Sequence, residues 1–238
     1  MNLLLFDSEP SWVHGAISLW RDRLRINPRL RICLPSGNTP VPIYAAMAQS
    51  VQAGWASLRD AHVFALDDYG GLDRDDPGKC VNMLRRHLID HIDLPKDHFH
   101  FIDTDAPDLE GACRDYDRRI GAGFDLVLLG IGLNGHLGLN EPGSSPDSGT
   151  RRVQMHPSSV SASRNYLKHA SPPSWGVTVG LKQLLGSGEV WLLAAGAGKA
   201  DIVRRTIRGE ITDELPASLL RRHANSFLFV DAAAGARL

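Results

Sequence analysis

Phe124-Asp-Leu-Val-Leu-Leu-Gly-Ile-Gly-Leu-Asn-Gly-His-Leu-Gly-Leu-Asn-Glu-Pro-Gly-Ser-Ser145 decides how this chain is read. Its first part, Phe124 to Ile131, is the most strand-like segment of the sequence, a run of hydrophobics after Asp125 without polar alternation. A strand that is apolar on both faces belongs in a parallel sheet covered on both sides. The second part opens into five glycines, a histidine and a carboxylate between Gly130 and Ser145. Glycines so dense cost backbone entropy, so something there needs the backbone bare. His136 and Glu141 are the only groups in the stretch that move protons near neutral pH. The stretch reads as an active-site loop at the end of a buried strand.

Outward from it, hydrophobic runs and helical patterns alternate. Strands are expected at Leu30–Leu34, Ala61–Leu66, Phe99–Ile102, Glu189–Ala195 and Ser226–Asp231. Helices are expected at Pro40–Gln52, Cys80–His91, Leu109–Ile120, Ser158–His169, Thr178–Leu185, Lys199–Arg208 and Pro216–Arg222. The segment before Pro28 is expected to add a strand and a helix. The fold class is therefore α/β: an open, mostly parallel, Rossmann-like sheet with helices on both faces. With no internal repeat or low-complexity linker, residues 1–238 read as a single domain.

In such sheets ligands bind beyond the carboxyl ends of the strands. Four polar constellations fall there: Ser36-Gly-Asn-Thr39, Asp67-Asp68-Tyr69, Gly132 to Glu141, and Gly196-Ala-Gly-Lys199. The first reads either as backbone N–H groups and hydroxyls offered to a phosphate at a helix start, or as an ordinary capped turn with Thr39 as N-cap and Pro40 at the first helical position. Lys199 opens a helix, where a cation opposes the macrodipole unless an anion binds beside it; otherwise it is a solvated surface lysine. Arg164 is a second basic candidate or plain surface. Asp67 and Asp68 end an apolar strand on opposite faces, so one suits a general base and the other a different role, unless the pair is simply an acidic turn. In the glycine loop, Glu141 is placed to orient His136 and raise its basicity, and Asn134 can hydrogen-bond without titrating. Neither a nucleophile elbow nor metal-ligand spacing occurs, so proton transfer outranks nucleophilic or metal chemistry.

Composition narrows the partners. With 26 basic and 27 acidic residues the formal charge is −1, which argues against a nucleic-acid binder while leaving room for a local cationic pocket. Cys33, Cys80 and Cys113 are scattered and read as reduced thiols in a cytoplasmic protein. No hydrophobic run approaches the length of a signal peptide or membrane span.

Leu34-Pro-Ser-Gly-Asn-Thr-Pro40, Leu66-Asp-Asp-Tyr69, Gly130-Ile-Gly-Leu-Asn-Gly-His136 and Asn140-Glu-Pro-Gly-Ser-Ser145 resemble, in order and spacing, the glucosamine-6-phosphate deaminase (isomerase) family. Thr178-Val-Gly180, Lys199-Ala200 and Pro216-Ala-Ser218 extend the resemblance, which runs from about residue 30 to the C-terminus. The related 6-phosphogluconolactonases share the fold, but their Gly-His turn usually continues into a Ser-Leu-Phe-Pro-like segment. The resemblance implies conversion of a 2-amino-2-deoxyhexose 6-phosphate and water to a ketose 6-phosphate and ammonia, without metal or cofactor. It implies Asp67 as the base moving a proton from C2 to C1, and His136 as the ring-opening group oriented by Glu141 and Asn134. Ser36, Gly37, Asn38, Thr39, Arg164 and Lys199 would hold the phosphate, with Asp68 near the sugar. Three positions depart from the family: Asp68 for the usual glutamate, Gly70 for valine and Leu139 for phenylalanine. Two of them, Asp68 and Leu139, are expected near the sugar ring, which makes galactosamine 6-phosphate a competitor to glucosamine 6-phosphate. A 6-phosphogluconolactonase and a non-catalytic sugar-phosphate sensor stand behind these two as further readings of the same fold. The chain stops soon after Asp231, without the extension of the larger allosteric hexamers, so a monomer or small homo-oligomer is expected. Pro142 to Met155 and Ser158 to Ser174 flank the loop as candidate lids.

Overall fold

A computed structural model describes residues 1–167 and 171–238. Ten strands form two sheets: β1 (Asn2–Phe6), β2 (Arg31–Leu34), β3 (His62–Ala65), β4 (Asp67–Tyr69), β5 (Phe99–His100), β6 (Leu126–Gly130), β7 (Arg151–Gln154), β8 (Trp175–Thr178), β9 (Glu189–Ala194) and β10 (Ser226–Asp231). Among the described residues eight α-helices intervene: α1 (Glu9–Ile26), α2 (Val41–Gln52), α3 (Cys80–His87), α4 (Leu109–Ile120), α5 (Pro157–Ser163), α6 (Leu181–Leu185), α7 (Ala200–Arg208) and α8 (Pro216–Leu219). The main sheet has the order β1-β10-β9-β6-β2-β3-β5, and every pairing in it is parallel.

Strand alternation explains the unbroken apolar runs. On β6, Leu126 and Leu128 join a core with Trp12, Trp20 and Tyr44, whereas Val127 and Leu129 face Tyr116, Leu181 and Val203. On β9, Trp191 and Leu193 take the first side, and Val190, Leu192 and Ala194 the second. Helices α1 and α2 thus cover one face and α4, α6 and α7 the other, which leaves the strands apolar on both sides. Between β2 and β6 the order reverses: the chain leaves β2 through α2 towards β3, and leaves β6 towards β9. The loops after these two strands diverge, and a crevice opens between them.

A second, antiparallel sheet, β4-β8-β7, was not anticipated. The chain leaves the main sheet at Leu66, and Asp67 to Tyr69 form a strand paired with Trp175–Thr178 rather than an acidic turn. Thr178 therefore ends a strand, and the helix expected from it is confined to Leu181–Leu185. Partner strands so distant in sequence leave no local signal. Smaller differences concern ends. Helix α3 stops at His87 because Leu88 leaves helical dihedrals, and Ile89–His91 is a 3-10 turn. Only Phe99 and His100 of the expected third strand pair. Helix α2 starts from Pro40 without a side-chain cap, so Thr39 is not its N-cap. Of the helix expected over Ser158–His169, Pro157–Ser163 is helical, and positions 168 and 169 lie outside the described residues. The expected N-terminal strand and helix are β1 and α1, the latter closed by a Ser8–Ser11 capping box. Among the described residues no helix is long and apolar enough to cross a membrane.

Candidate active site

The crevice is a cleft of about 420 Å³. It is lined from the loop after β2 (Pro35 to Pro40), from Leu66, Asp67 and Tyr69, from the loop after β6 (Ile131 to Leu139), from α5 and from Gly196 to Lys199. The four constellations expected at the carboxyl edge therefore meet in one place.

Asp67 and Asp68 part company there. Successive side chains on β4 point to opposite faces. Asp67 lines the cleft, is 9% exposed, and its Oδ1 has no hydrogen-bond partner among the described residues. Burial pushes its carboxyl up to about 6, against the lowering influence of the Cys80 thiol and the His136 charge. Asp68 is turned away and 2% exposed. Its Oδ1 accepts the backbone N–H of Tyr69 at 2.9 Å and of Cys80 at 2.7 Å, tying the start of α3 to β4. Burial raises it to about 7, opposed by Lys79 and those two bonds. The expectation that Asp68 touches the sugar is corrected: it does not line the cleft, and pleat alternation is the reason.

His136 and Glu141 come together as expected. His136 Nδ1 stands 3.4 Å from Glu141 Oε2, and Asn134 Nδ2 donates to the same oxygen at 2.8 Å. The other carboxylate oxygen accepts the His156 backbone N–H at 3.2 Å. Burial alone would raise the Glu141 carboxyl, but hydrogen bonds and charge from His136, with Ser159 and Asn134, outweigh it and hold it at about 2. Asn134 Oδ1 also accepts the His136 N–H at 3.2 Å, folding the loop back on itself. Two glycines explain the bare backbone. A Cβ on Gly132 would collide with the imidazole of His136. Gly138, at φ 61°, lies against Thr178 and Leu66, where a side chain would be both strained and crowded.

At the other end, Ser36, Gly37, Asn38 and Thr39 line the cleft together with Lys199. Gly37 has φ 91°, and the Tyr166 hydroxyl meets the backbone of Asn38 beside it. Lys199 Nζ donates to the Ile131 carbonyl at 2.6 Å, so its ammonium hangs over the loop after β6. Burial lowers its pKa, with no carboxylate to offset it. A half-buried cation in that state favours an anionic guest. Arg164, the second basic candidate, is exposed at the end of α5 and does not line the cleft.

Three residues escaped the sequence reading. Ser159 places its Oγ 3.1 Å from His136 Nδ1, Tyr166 covers Gly37, and the buried Cys80 thiol lies near Asp67 and Ser36. None carries a local motif; only the pairing of β4 with β8 and the path of α5 bring them in. The two further departures have local causes. The Trp175 indole fills the space a Cβ on Gly70 would need, and Leu139 packs on Gly176 in the floor of the cleft. Among the described residues no group of three or more His, Cys, Asp and Glu is arranged to hold a metal.

A family model for glucosamine-6-phosphate isomerases and 6-phosphogluconolactonase matches residues 12–229. The glucosamine-6-phosphate deaminase of Bacillus pumilus (strain SAFR-032) is 34% identical over 238 residues, covering 99% of both chains. Glucosamine-6-phosphate deaminase 2 of Bacillus subtilis (strain 168) is also 34% identical, covering 100% of this chain and 98% of its own. Among solved structures, a monomeric glucosamine-6-phosphate deaminase superposes with TM-score 0.96 at 29% identity, each chain covered completely. A 6-phosphogluconolactonase from Thermotoga maritima, at 22% identity and TM-score 0.76 over 97% of this chain, shares the fold. Matched along nearly its whole length, with the glycine loop, Asp67 and Lys199 gathered in one cleft, the chain belongs to the glucosamine-6-phosphate isomerase/6-phosphogluconolactonase family.

Proposed function

We propose that the protein is a glucosamine-6-phosphate deaminase, converting glucosamine 6-phosphate and water to fructose 6-phosphate and ammonia. The observation that carries this reading is the buried, unpartnered Oδ1 of Asp67 in the same cleft as a carboxylate-backed His136. Full-length relatives named glucosamine-6-phosphate deaminase support it.

The chemistry follows from the residue types. Lys199 and the backbone and hydroxyl donors of Ser36 to Thr39 hold the phosphate, which anchors the sugar. His136 takes the proton from the anomeric hydroxyl and returns one to the ring oxygen as the C1–O5 bond breaks, giving the open aldehyde. Asp67 then removes the proton from C2, the electrons form the C1–C2 double bond of an enolamine, and the former carbonyl oxygen O1 takes up a proton. Asp67 returns the C2 proton to C1, and the nitrogen gives up a proton that balances the one gained by O1, leaving an imine at C2; water adds there and ammonia departs. A carboxyl held at about 6 is mostly ionised at pH 7, yet more basic than an ordinary aspartate, as a proton shuttle between carbons requires. Asn134 and Glu141 orient His136. The whole chain acts as one cytoplasmic catalytic unit, and the likeness to a solved monomeric glucosamine-6-phosphate deaminase supports a monomer.

The test is ammonia release from glucosamine 6-phosphate and galactosamine 6-phosphate, with 6-phosphogluconolactone as control. Turnover of the glucosamine compound is expected to dominate. Faster release from the galactosamine epimer would move the substrate assignment, and lactone hydrolysis without ammonia would overturn the reaction.

A further inference from the structure

Helix α5 brings a side chain into the His136–Glu141 pair that the motif does not contain. Ser159, 5% exposed, places its Oγ 3.1 Å from His136 Nδ1. Glu141 Oε2 is farther from that nitrogen, at 3.4 Å, beyond the usual N–H···O distance. The carboxylate is held back by its own partners, Asn134 Nδ2 at 2.8 Å and the His156 N–H at 3.2 Å. Glu141 alone therefore makes a loose contact with the imidazole.

Hydrogen-bond direction resolves what the serine does. An ionised carboxylate only accepts. The Glu141 carboxylate faces Nδ1 at 3.4 Å and would repel a bare lone pair there, so Nδ1 carries the ring proton. The Ser159 Oγ, nearer at 3.1 Å, accepts that proton. Nε2 is left bare as the basic nitrogen available to the sugar. An imidazole reversed in tautomer would present N–H there and could not take the anomeric proton.

We propose that Ser159 is a positioning residue that holds the Nδ1–H tautomer of His136 by accepting that proton beside Glu141. Because Ser159 rides on α5 while His136 and Glu141 belong to the loop after β6, this nearer acceptor is in place only when α5 lies against that loop. The inference rests on the functional reading above for its kinetic consequence, but not for its structural one.

Two measurements separate these. In the free, nitrogen-15-labelled protein, ring-nitrogen shifts of His136 need no substrate. The wild type is expected to show protonated Nδ1 and bare Nε2. Ser159→Ala should show mixed tautomers, and Ser159→Thr, which keeps the hydroxyl, the wild-type pattern. With an active substrate, Ser159→Ala should lower kcat by about tenfold, the scale of a partly lost acid–base contribution, and leave KM within about twofold. Ser159→Thr should recover most of that loss. An unchanged tautomer in Ser159→Ala, or a threonine variant as impaired as the alanine one, would overturn the proposal. Failure of the wild type to release ammonia would sink the functional reading instead, with the nitrogen shifts still deciding the role of Ser159.

Discussion

The imidazole of His136 rests on the Cα of Gly132, so closely that a single added methyl at residue 132 would occupy the space of the ring. Backbone and imidazole are in direct contact here, with no side chain between them. The ring plane is set by the path of the chain, and the contacts of Nδ1 with Ser159 and Glu141 only choose its rotation and tautomer.

Gly132→Ala is therefore expected to reduce kcat on the order of a hundredfold, the scale associated with displacing a reacting group by about 1 Å. Stability should fall by about 1–3 kcal/mol, as in other overpacked sites. Steady-state kinetics beside a urea titration check this; a variant with normal kcat would mean that the ring moves freely without harm.

Asp67→Asn should abolish ammonia release while leaving the affinity for an unreactive sugar 6-phosphate within about threefold, since binding and proton transfer are assigned to different groups. Its stability carries a second signature. The folded pKa of about 6 lies above the ordinary 3.8, so this carboxyl favours the fold below pH 3.8 and loses that contribution as pH rises through 6. The asparagine variant should gain on the wild type between pH 4 and pH 8, by roughly 2–3 kcal/mol. Parallel stability curves for the two proteins would count against the assigned shift.

A histidine cluster at the far edge of the main sheet has the opposite sense. His62 stacks on His98 with ring centroids 4.1 Å apart, and its Nδ1 lies 3.1 Å from His100 Nε2. Burial, aided by His62 and by Arg119 and Arg31, pushes His100 down to about 4, and burial also lowers His62. Stability from keeping these rings neutral is complete above the ordinary value of 6.5 and is lost as pH falls towards 4. His100→Gln should flatten the melting temperature over that window. Equal acid sensitivity in both proteins would place the loss elsewhere.

Gly70→Val restores the residue usual in the resembling family and is expected to expel the Trp175 indole, which also stacks beneath Arg152 at 4.3 Å. The cost should be about 1–3 kcal/mol. Combined with Trp175→Ala the valine should cost markedly less, because the two changes share one space. Additive losses in a double-mutant cycle would show that the two positions do not compete.

Much of this was legible in the sequence because it is local. Continuous apolar runs gave a sheet covered on both faces, and small-residue turns after β2, β6 and β9 marked its binding edge. The joining of His136 to Glu141 followed from glycines within one loop. What failed to show depends on distant partners. The pairing of Asp67 with Thr178 made a strand of its own out of residues read as the end of the preceding strand, and Asp68 on it points away from the cleft. Ser159 and Tyr166 reach the cleft because of where α5 runs, and nothing in their own sequence neighbourhood announces it. Arg164, read as a phosphate ligand, is exposed at the C-terminal end of α5 and does not line the cleft.

The strand that bears Asp67 is completed only by β8, far later in the chain, while its neighbour β3 already pairs with β2. During refolding, loops of that length close slowly compared with the nearby parallel pairings. A molecule could thus bury most of its tryptophans and still lack a competent base. Recovered ammonia release should lag recovered tryptophan fluorescence after dilution from denaturant; simultaneous recovery would mean that the small sheet forms with the nucleus instead.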